Sequence, residues 1–260
     1  MAHTTIPSVQ RVDSFAHVYR EVEAGGFAHN DQAMLFFLRV HALLRPDMTV
    51  MDFGAGRGRI GHTAPSFVRD FKILKGHCRK VIGVDPDPIV TTNPVIDEAV
   101  VLDRTGRIPL PDSSVDLVFS CSTFEHIADP SSVARELGRV LRPGGWLCAY
   151  TPAKWGYVAL GARLVPNSLH PRAVRMLSSG SREADDVFPT YYRLNTIGDV
   201  RRHFLPHGFD DYSYYLGGSP SYHANKSLLV RLWAAYNALV PPPLKKNLHV
   251  FMRKTNLRKA

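Results

Sequence analysis

The sequence predicts a doubly wound α/β domain with a mostly parallel, seven-stranded sheet. Three observations carry this. Five short apolar runs rich in Val, Ile and Leu recur between residues 48 and 150, helical or irregular stretches separate them, and the first run passes straight into a glycine-rich loop. Runs that are apolar without alternation belong to strands buried on both faces, and the crossovers of a parallel sheet supply that cover.

Residues 9–24 and 31–45 read as N-terminal helices. The second, DQAMLFFLRVHALLR, is apolar along one face, with Asn30 or Asp31 as N-cap and Pro46 beyond its end. MTVMDF (48–53) is the first strand, followed by the loop and a helix from about Arg59. KVIGVD (80–85), EAVVLD (98–103), VDLVFS (115–120) and GWLCAY (145–150) are the next four. Between the last two, DPSSVARELGRVLRPGG reads as a helix with Asp129 as N-cap and Gly144 just beyond its end. Between Asp85 and Glu98, the prolines at 86, 88 and 94 oppose a regular crossover helix and predict an irregular connection.

Residues 152–195 read as a cap inserted after the fifth strand. It has an apolar helical piece (WGYVALGARLV), a polar helical piece near 171–179 and the aromatic stretch DDVFPTYYRLN. TIGDVRRHFLPHGF reads as a helix closed by Gly208, while FDDYSYYL and NLHVFMRK read as strands able to pair antiparallel, with the helical run 226–239 between them. The expectation is one domain: N-terminal helices (1–46), a core (47–151), a cap (152–195), and C-terminal helices and strands ending in a basic tail (196–260).

With 45% hydrophobic and 21% charged residues, the 260-residue chain has the composition of an ordinary globular protein. It has neither an apolar run of the roughly 18 residues that span a bilayer nor a signal-peptide pattern, so a cytoplasmic location is expected. Cys78, Cys121 and Cys148 form no C-x-x-C pair, and no His, Asp or Glu spacing suggests a metal. The net charge of +9 points to an anionic partner; the acid-free run 245–260 reads as a solvated tail or as a peripheral contact with anionic membrane.

DFGAGRGRIG (52–61) admits two parses. As G-x-G-x-x-G from Gly56 it would cradle a dinucleotide, but Asp52 would then sit beside two phosphates. As G-x-G-x-G, with Gly54, Gly56 and Gly58, it suits S-adenosylmethionine, which carries an ammonium and no phosphate, and Asp52 can accept hydrogen bonds near the amino-acid moiety. Asp85, ending the second strand, is placed to accept from ribose hydroxyls, and Asp103, ending the third, from an adenine amino group.

VMDFGAGRGR, VIGVDPD and IPLPDSSVDLVFSCSTFEHIADPSSVARELGRVLRPGGWLCAYTP resemble the cofactor loop, ribose-binding strand end and central block of the class I S-adenosylmethionine-dependent methyltransferases. The resemblance covers about residues 48–151 and implies a Rossmann-like fold. It also implies that Asp52, Gly54, Gly56, Gly58, Asp85, Asp103 and Ser120 line the cofactor, with Arg104 flanking adenine. The missing second crossover helix departs from the family's pattern.

The acceptor belongs beyond the strand carboxyl ends, at SCSTFEHIAD. The Asn/Asp-Pro-Pro-aromatic run of base methyltransferases is absent there, which disfavours base methylation. Glu125 and His126 resemble the Glu-His pair of many small-molecule and sugar O-methyltransferases. His126 is the candidate base for a hydroxyl proton; the alternative is that the pair only holds the turn and positions the helix after it. Lys154, Trp155, Tyr157, His170, Arg172, Tyr191, Tyr192 and Arg193 give the cap aromatic platforms and hydrogen-bond donors. YTPAKWGYVAL, NSLHPR and DDVFPTYYRLNT are similar, more loosely, to bacterial methyltransferases associated with surface polysaccharide assembly. The favoured acceptor is therefore a sugar hydroxyl of a glycan or glycan precursor. A phenolic or quinone metabolite and an RNA-binding methyltransferase are the alternatives; nucleic acid is the less expected partner.

Overall fold

The computed structural model describes residues 13–58, 66–103, 105–164, 188–220 and 226–255. Parallel strands β1 (Thr49–Phe53), β2 (Lys80–Asp85), β3 (Glu98–Val101), β4 (Val115–Cys121) and β5 (Leu141–Pro152) form most of the sheet. Strand β8 (Asn247–Lys254) runs antiparallel to β5, and the short strands β6 (Phe209–Asp211) and β7 (Tyr214–Leu216) both pair antiparallel with β8. The order is β3-β2-β1-β4-β5-β8-β6, with β7 beside β8.

FDDYSYYL was expected as one strand. It keeps one register against β8, from Phe209↔Lys254 to Leu216↔Asn247, but the ladder lapses at Tyr212–Ser213. There Ser213 Oγ accepts from Phe251 N, and Asp211 accepts from Ser213 N. Side chains thus replace one rung, and eight strands fill seven positions.

The helices are α1 (Asp13–Ala16), α2 (Gln32–Leu43), α3 (Ser66–Asp70), α4 (Pro130–Val140), α5 (Tyr157–Leu164), α6 (Ile197–Phe204) and α7 (Ser227–Leu239). Phe36, Phe37 and Val40 of α2 meet Val50, Leu117, Phe119 and Phe251 on one face of the sheet. Leu137 and Val140 of α4, with Val200 and Phe204 of α6, meet Met51, Val118, Leu147 and Val250 on the other. Alternate residues of one strand thus enter two cores, which is why the runs carry no polar alternation.

The caps follow local chemistry. Asp31 accepts from Met34 N at the start of α2, and Asp129 accepts from Ser131 N and Ser132 N at the start of α4. Two expectations are corrected. The described part of the helix expected over 9–24 is α1 and a separate 3₁₀ turn, Arg20–Glu23; between them the chain tightens, Tyr19 stacks on Phe15, and Tyr19 and Val22 are buried against Val230. Gly144 does not follow a helix end, because α4 runs directly into β5, which bulges between its pairings at Leu141 and Trp146. The piece near 171–179 and the start of the helix expected from Arg59 lie outside the described residues. Among the described residues, no helix is long and apolar enough to cross a membrane.

One pair, a buried Glu136 and a half-buried Arg139, stitches the β3–β4 connection to α4. Glu136 accepts from Ile108 N, and Arg139 donates to Glu136 and to the carbonyls of Ile108 and Leu110. These bonds hold the Glu136 carboxyl below the usual carboxylate range. Arg139→Met would strand a buried carboxylate and two carbonyls, so urea unfolding should show a loss of ~3 kcal/mol.

Candidate active site

The carboxyl ends of β1, β2 and β4 converge on the glycine loop. Gly54, Gly56 and Gly58 all take left-handed backbone conformations. A Cβ at Gly54 would strike Thr123, and one at Gly58 would strike Asn93. Gly56 differs, since a Cβ there would meet nothing within 4 Å. The loop therefore keeps open room at its centre while its two ends are pressed against protein.

Asp85 holds that centre, accepting from Gly56 N at 2.9 Å and from Asp87 N at 2.8 Å. Asn93 clamps the loop from the other side: its amide donates to the carbonyls of Ala55 and Gly56, and its Oδ1 accepts from Val95 N. Asn93 belongs to the proline-interrupted connection, which forms a 3₁₀ turn at Pro88–Thr92 as the prolines require. Asp52 lies half-buried beside Asp85, and burial, reinforced by Asp85, pushes its carboxyl up to about 7. Open space at Gly56 next to an acid pair fits a ligand carrying a cation and hydroxyls, so the residues present fit S-adenosylmethionine.

The remaining cofactor candidates divide. Asp103 is exposed two residues beyond β3, its carboxylate bonded to Thr105 N and Oγ1, which lowers its pKa. Ser120 is buried and donates to Phe53 O at 2.7 Å, so its hydroxyl joins β4 to β1. Its hydroxyl proton is thus committed between strands at the end of the sheet where the cofactor is expected. Arg104 lies outside the described residues.

After β4, Ser122 has φ of 54° and donates its N–H to Tyr150 O, and a 3₁₀ turn, Phe124–His126, follows. The adjacent acid and imidazole have different fates. Glu125 is buried; its Oε2 accepts from Thr151 Oγ1 at 2.8 Å, and Asn195 donates to the same Thr151 oxygen at 2.7 Å. Its backbone oxygen accepts from Tyr191 N and Tyr192 N. Neighbouring side chains on the turn diverge, and Glu125, expected as a catalytic residue beside His126, ties the turn to β5 and to the returning cap. His126 is half-buried, with Nδ1 2.9 Å from Pro189 O and its ring edge-on to Phe188. A carbonyl only accepts, so in the neutral ring Nδ1 carries the proton and Nε2 keeps its lone pair.

Of the cap candidates, Trp155, Tyr191 and Arg193 are exposed, with Arg193 over the Tyr191 ring and donating to Ala128 O. Lys154 lies beside Trp155 and 3.9 Å from Asp199. Tyr192 is buried and Tyr157 stacks on Trp233 at 4.4 Å, so both are packing residues. His170 and Arg172 lie outside the described residues. Thr123, Asn93, Phe188 and the Pro189 carbonyl complete the site without any sequence pattern that singles them out.

Residues 51–149 match the family described as a methyltransferase domain. A probable S-adenosylmethionine-dependent methyltransferase of Mycolicibacterium smegmatis is 29% identical over 125 residues, 44% of this chain and 48% of that protein. A 2-methyl-6-phytyl-1,4-hydroquinone methyltransferase of Synechocystis is 32% identical over 111 residues, 40% of this chain and 32% of that one. The chain spans about half or less of the length of these curated relatives. Among solved structures, a methyltransferase of Haloferax volcanii in complex with the Trm112 activator superposes with a TM-score of 0.52 at 17% identity, covering 95% of this chain and 97% of that one. The fold is thus that of the class I S-adenosylmethionine-dependent methyltransferases. Residues 51–149 match a methyltransferase domain, and the curated relatives of the chain include enzymes named as probable S-adenosylmethionine-dependent methyltransferases.

Gly56→Ala and Gly58→Ala should separate folding from binding. At Gly56 only the left-handed backbone is strained, so the melting curve should register ~1 kcal/mol while S-adenosylhomocysteine binding is lost in calorimetry. At Gly58 the added clash with Asn93 should lower stability further.

Proposed function

We propose that this chain transfers the methyl group of S-adenosylmethionine to a hydroxyl oxygen, and that the acceptor is a sugar of a glycan or glycan precursor. The observation that carries oxygen as the acceptor atom is His126. Its Nδ1 proton is committed to Pro189 O, which leaves Nε2 as a base beside the strand ends where the methyl group would be presented. The cofactor supplies an electrophilic methyl group; the chain supplies its placement. Asp52 would pair with the cofactor ammonium, Asp85 would accept from ribose hydroxyls while still holding Gly56, and Gly54 and Gly58 would fix the loop around it. Ser120 and Glu125 act as positioning residues, fixing the ends of β4 and of the turn. Asp103 reaches adenine only by exchanging its bonds to Thr105.

A sugar suits exposed aromatic rings mixed with donors, and Trp155, Phe188 and Tyr191 with Lys154 and Arg193 provide that mixture around the turn. The likeness to a hydroquinone methyltransferase favours a second reading, a phenolic or quinone acceptor. Incubation with methyl-labelled cofactor and extracts divided into glycan, quinone and RNA fractions separates these readings, with label expected in the glycan fraction. His126→Gln should lower kcat about a hundredfold while leaving S-adenosylhomocysteine affinity unchanged; an unchanged rate would return His126 to a role in holding the turn.

Asp52 sets the pH dependence of binding. Its carboxyl titrates at about 7 in the free protein. Pairing with an ammonium requires the ionised form, so below that value a proton must leave as ligand binds. S-adenosylhomocysteine should bind about tenfold more weakly near pH ~6 than near pH ~8, by calorimetry, and Asp52→Asn should abolish the slope.

A further inference from the structure

Helix α7 (Ser227–Leu239) turns apolar side chains both inward and outward. Inward, Val230 is buried, and Trp233 stacks on Tyr157 of α5 while Tyr236 meets the same ring edge-on. These contacts fix the helix through one face. Outward, Leu228, Leu232 and Leu239 are 67%, 55% and 84% exposed, and Ala235 is exposed between them. Spacings of four, three and four place all four residues on a single stripe. One exposed leucine needs no explanation, but a continuous ridge of them does.

The surroundings of the ridge constrain what covers it. Lys226 and Arg231 are exposed on and beside the same helix. Residues 212–260, which contain α7, carry eight Lys or Arg and no acid, and residues 137–182, which contain α5, carry seven and no acid. All 23 acidic residues lie elsewhere in the chain. Leu160 of α5 and Trp155 just before it are also exposed. The helix itself carries Lys226 and Arg231 and no acid, the nearest described acids being Glu21 and Glu23 on the turn packed against its inner face; an outward face of leucines flanked by two cations is complementary to an anionic, apolar surface.

We propose that the outward face of α7, with α5 beside it, is a peripheral docking surface for an anionic phospholipid bilayer. The leucine ridge enters the interfacial region, and Lys226 and Arg231 meet lipid phosphates. Helix α5 begins five residues beyond Pro152, the carboxyl end of β5. The inference stands on the surface alone and survives whichever acceptor hydroxyl is found.

The test is co-sedimentation of the full chain with vesicles of phosphatidylcholine alone or with about one third phosphatidylglycerol, at low and high salt. Partitioning should be about tenfold or more stronger into the anionic vesicles and should weaken with salt. The triple variant Leu228→Gln, Leu232→Gln, Leu239→Gln removes only exposed methyl groups. It should lose about tenfold or more of that partitioning while keeping the parent's melting curve and S-adenosylhomocysteine affinity. Undiminished binding by the triple variant would assign the attraction to charge alone and overturn the proposal. So would absence of binding by the parent, or a dimer seen by light scattering that the variant disperses.

Discussion

Two carboxylates held side by side at the ends of neighbouring parallel strands govern this molecule. The register Asp52↔Gly83 and Phe53↔Val84 leaves Asp52 and Asp85 at one edge of the β1–β2 pair. Asp85 has backbone donors from Gly56 and Asp87, whereas burial and Asp85 itself both act against the ionised form of Asp52. The fold therefore stores unfavourable electrostatics where a cationic ligand would relieve them. The glycine loop, the Asn93 clamp and the Ser120–Phe53 bond all serve to hold that arrangement still.

Among the described residues, the segment returning from the cap is tied to the turn after β4. Glu125 takes Tyr191 N and Tyr192 N on its backbone oxygen and Thr151 on its carboxylate, Asn195 reaches the same threonine and Pro152 O, and Pro189 orients the ring of His126. The residues that return from the cap thus determine which nitrogen of the imidazole carries the proton. Under the proposed function, acceptor recognition and proton removal would be linked through residues 188–195.

Much of the fold was legible because its signals are local. The doubly buried strands, the aspartates that start α2 and α4, Gly208 closing the turn after α6 and the prolines that forbid a second crossover helix each act within a few residues. The glycine loop was legible for the same reason, since the backbone twists that exclude a side chain are written as Gly54, Gly56 and Gly58. What escaped depends on partners distant in sequence. Asn93 looks like any asparagine in a proline-rich stretch until Ala55 and Gly56 lie beside it. The Pro189 acceptor is a backbone atom and has no residue-type signature. Adjacency in sequence did not reveal that the Glu125 side chain bonds Thr151 while that of His126 bonds Pro189. At Ser120, which the resemblance places at the cofactor, the bond to Phe53 O depends on a partner 67 residues away and is not written locally.

Strand β8 lies between β5 and the β6–β7 edge, pairing Trp146 with Arg253 and Pro152 with Asn247. Those partners are about a hundred residues apart in sequence, and the strand they complete carries the fully buried Leu147, Cys148 and Ala149. Until residues 247–254 arrive, β5 is an open, apolar sheet edge, available to any passing strand. During synthesis on the ribosome the cofactor-binding half can therefore take shape early, while its exposed border depends on a chaperone or on speed for protection, and truncation within 247–254 should be felt first as aggregation rather than as a weaker grip on the cofactor.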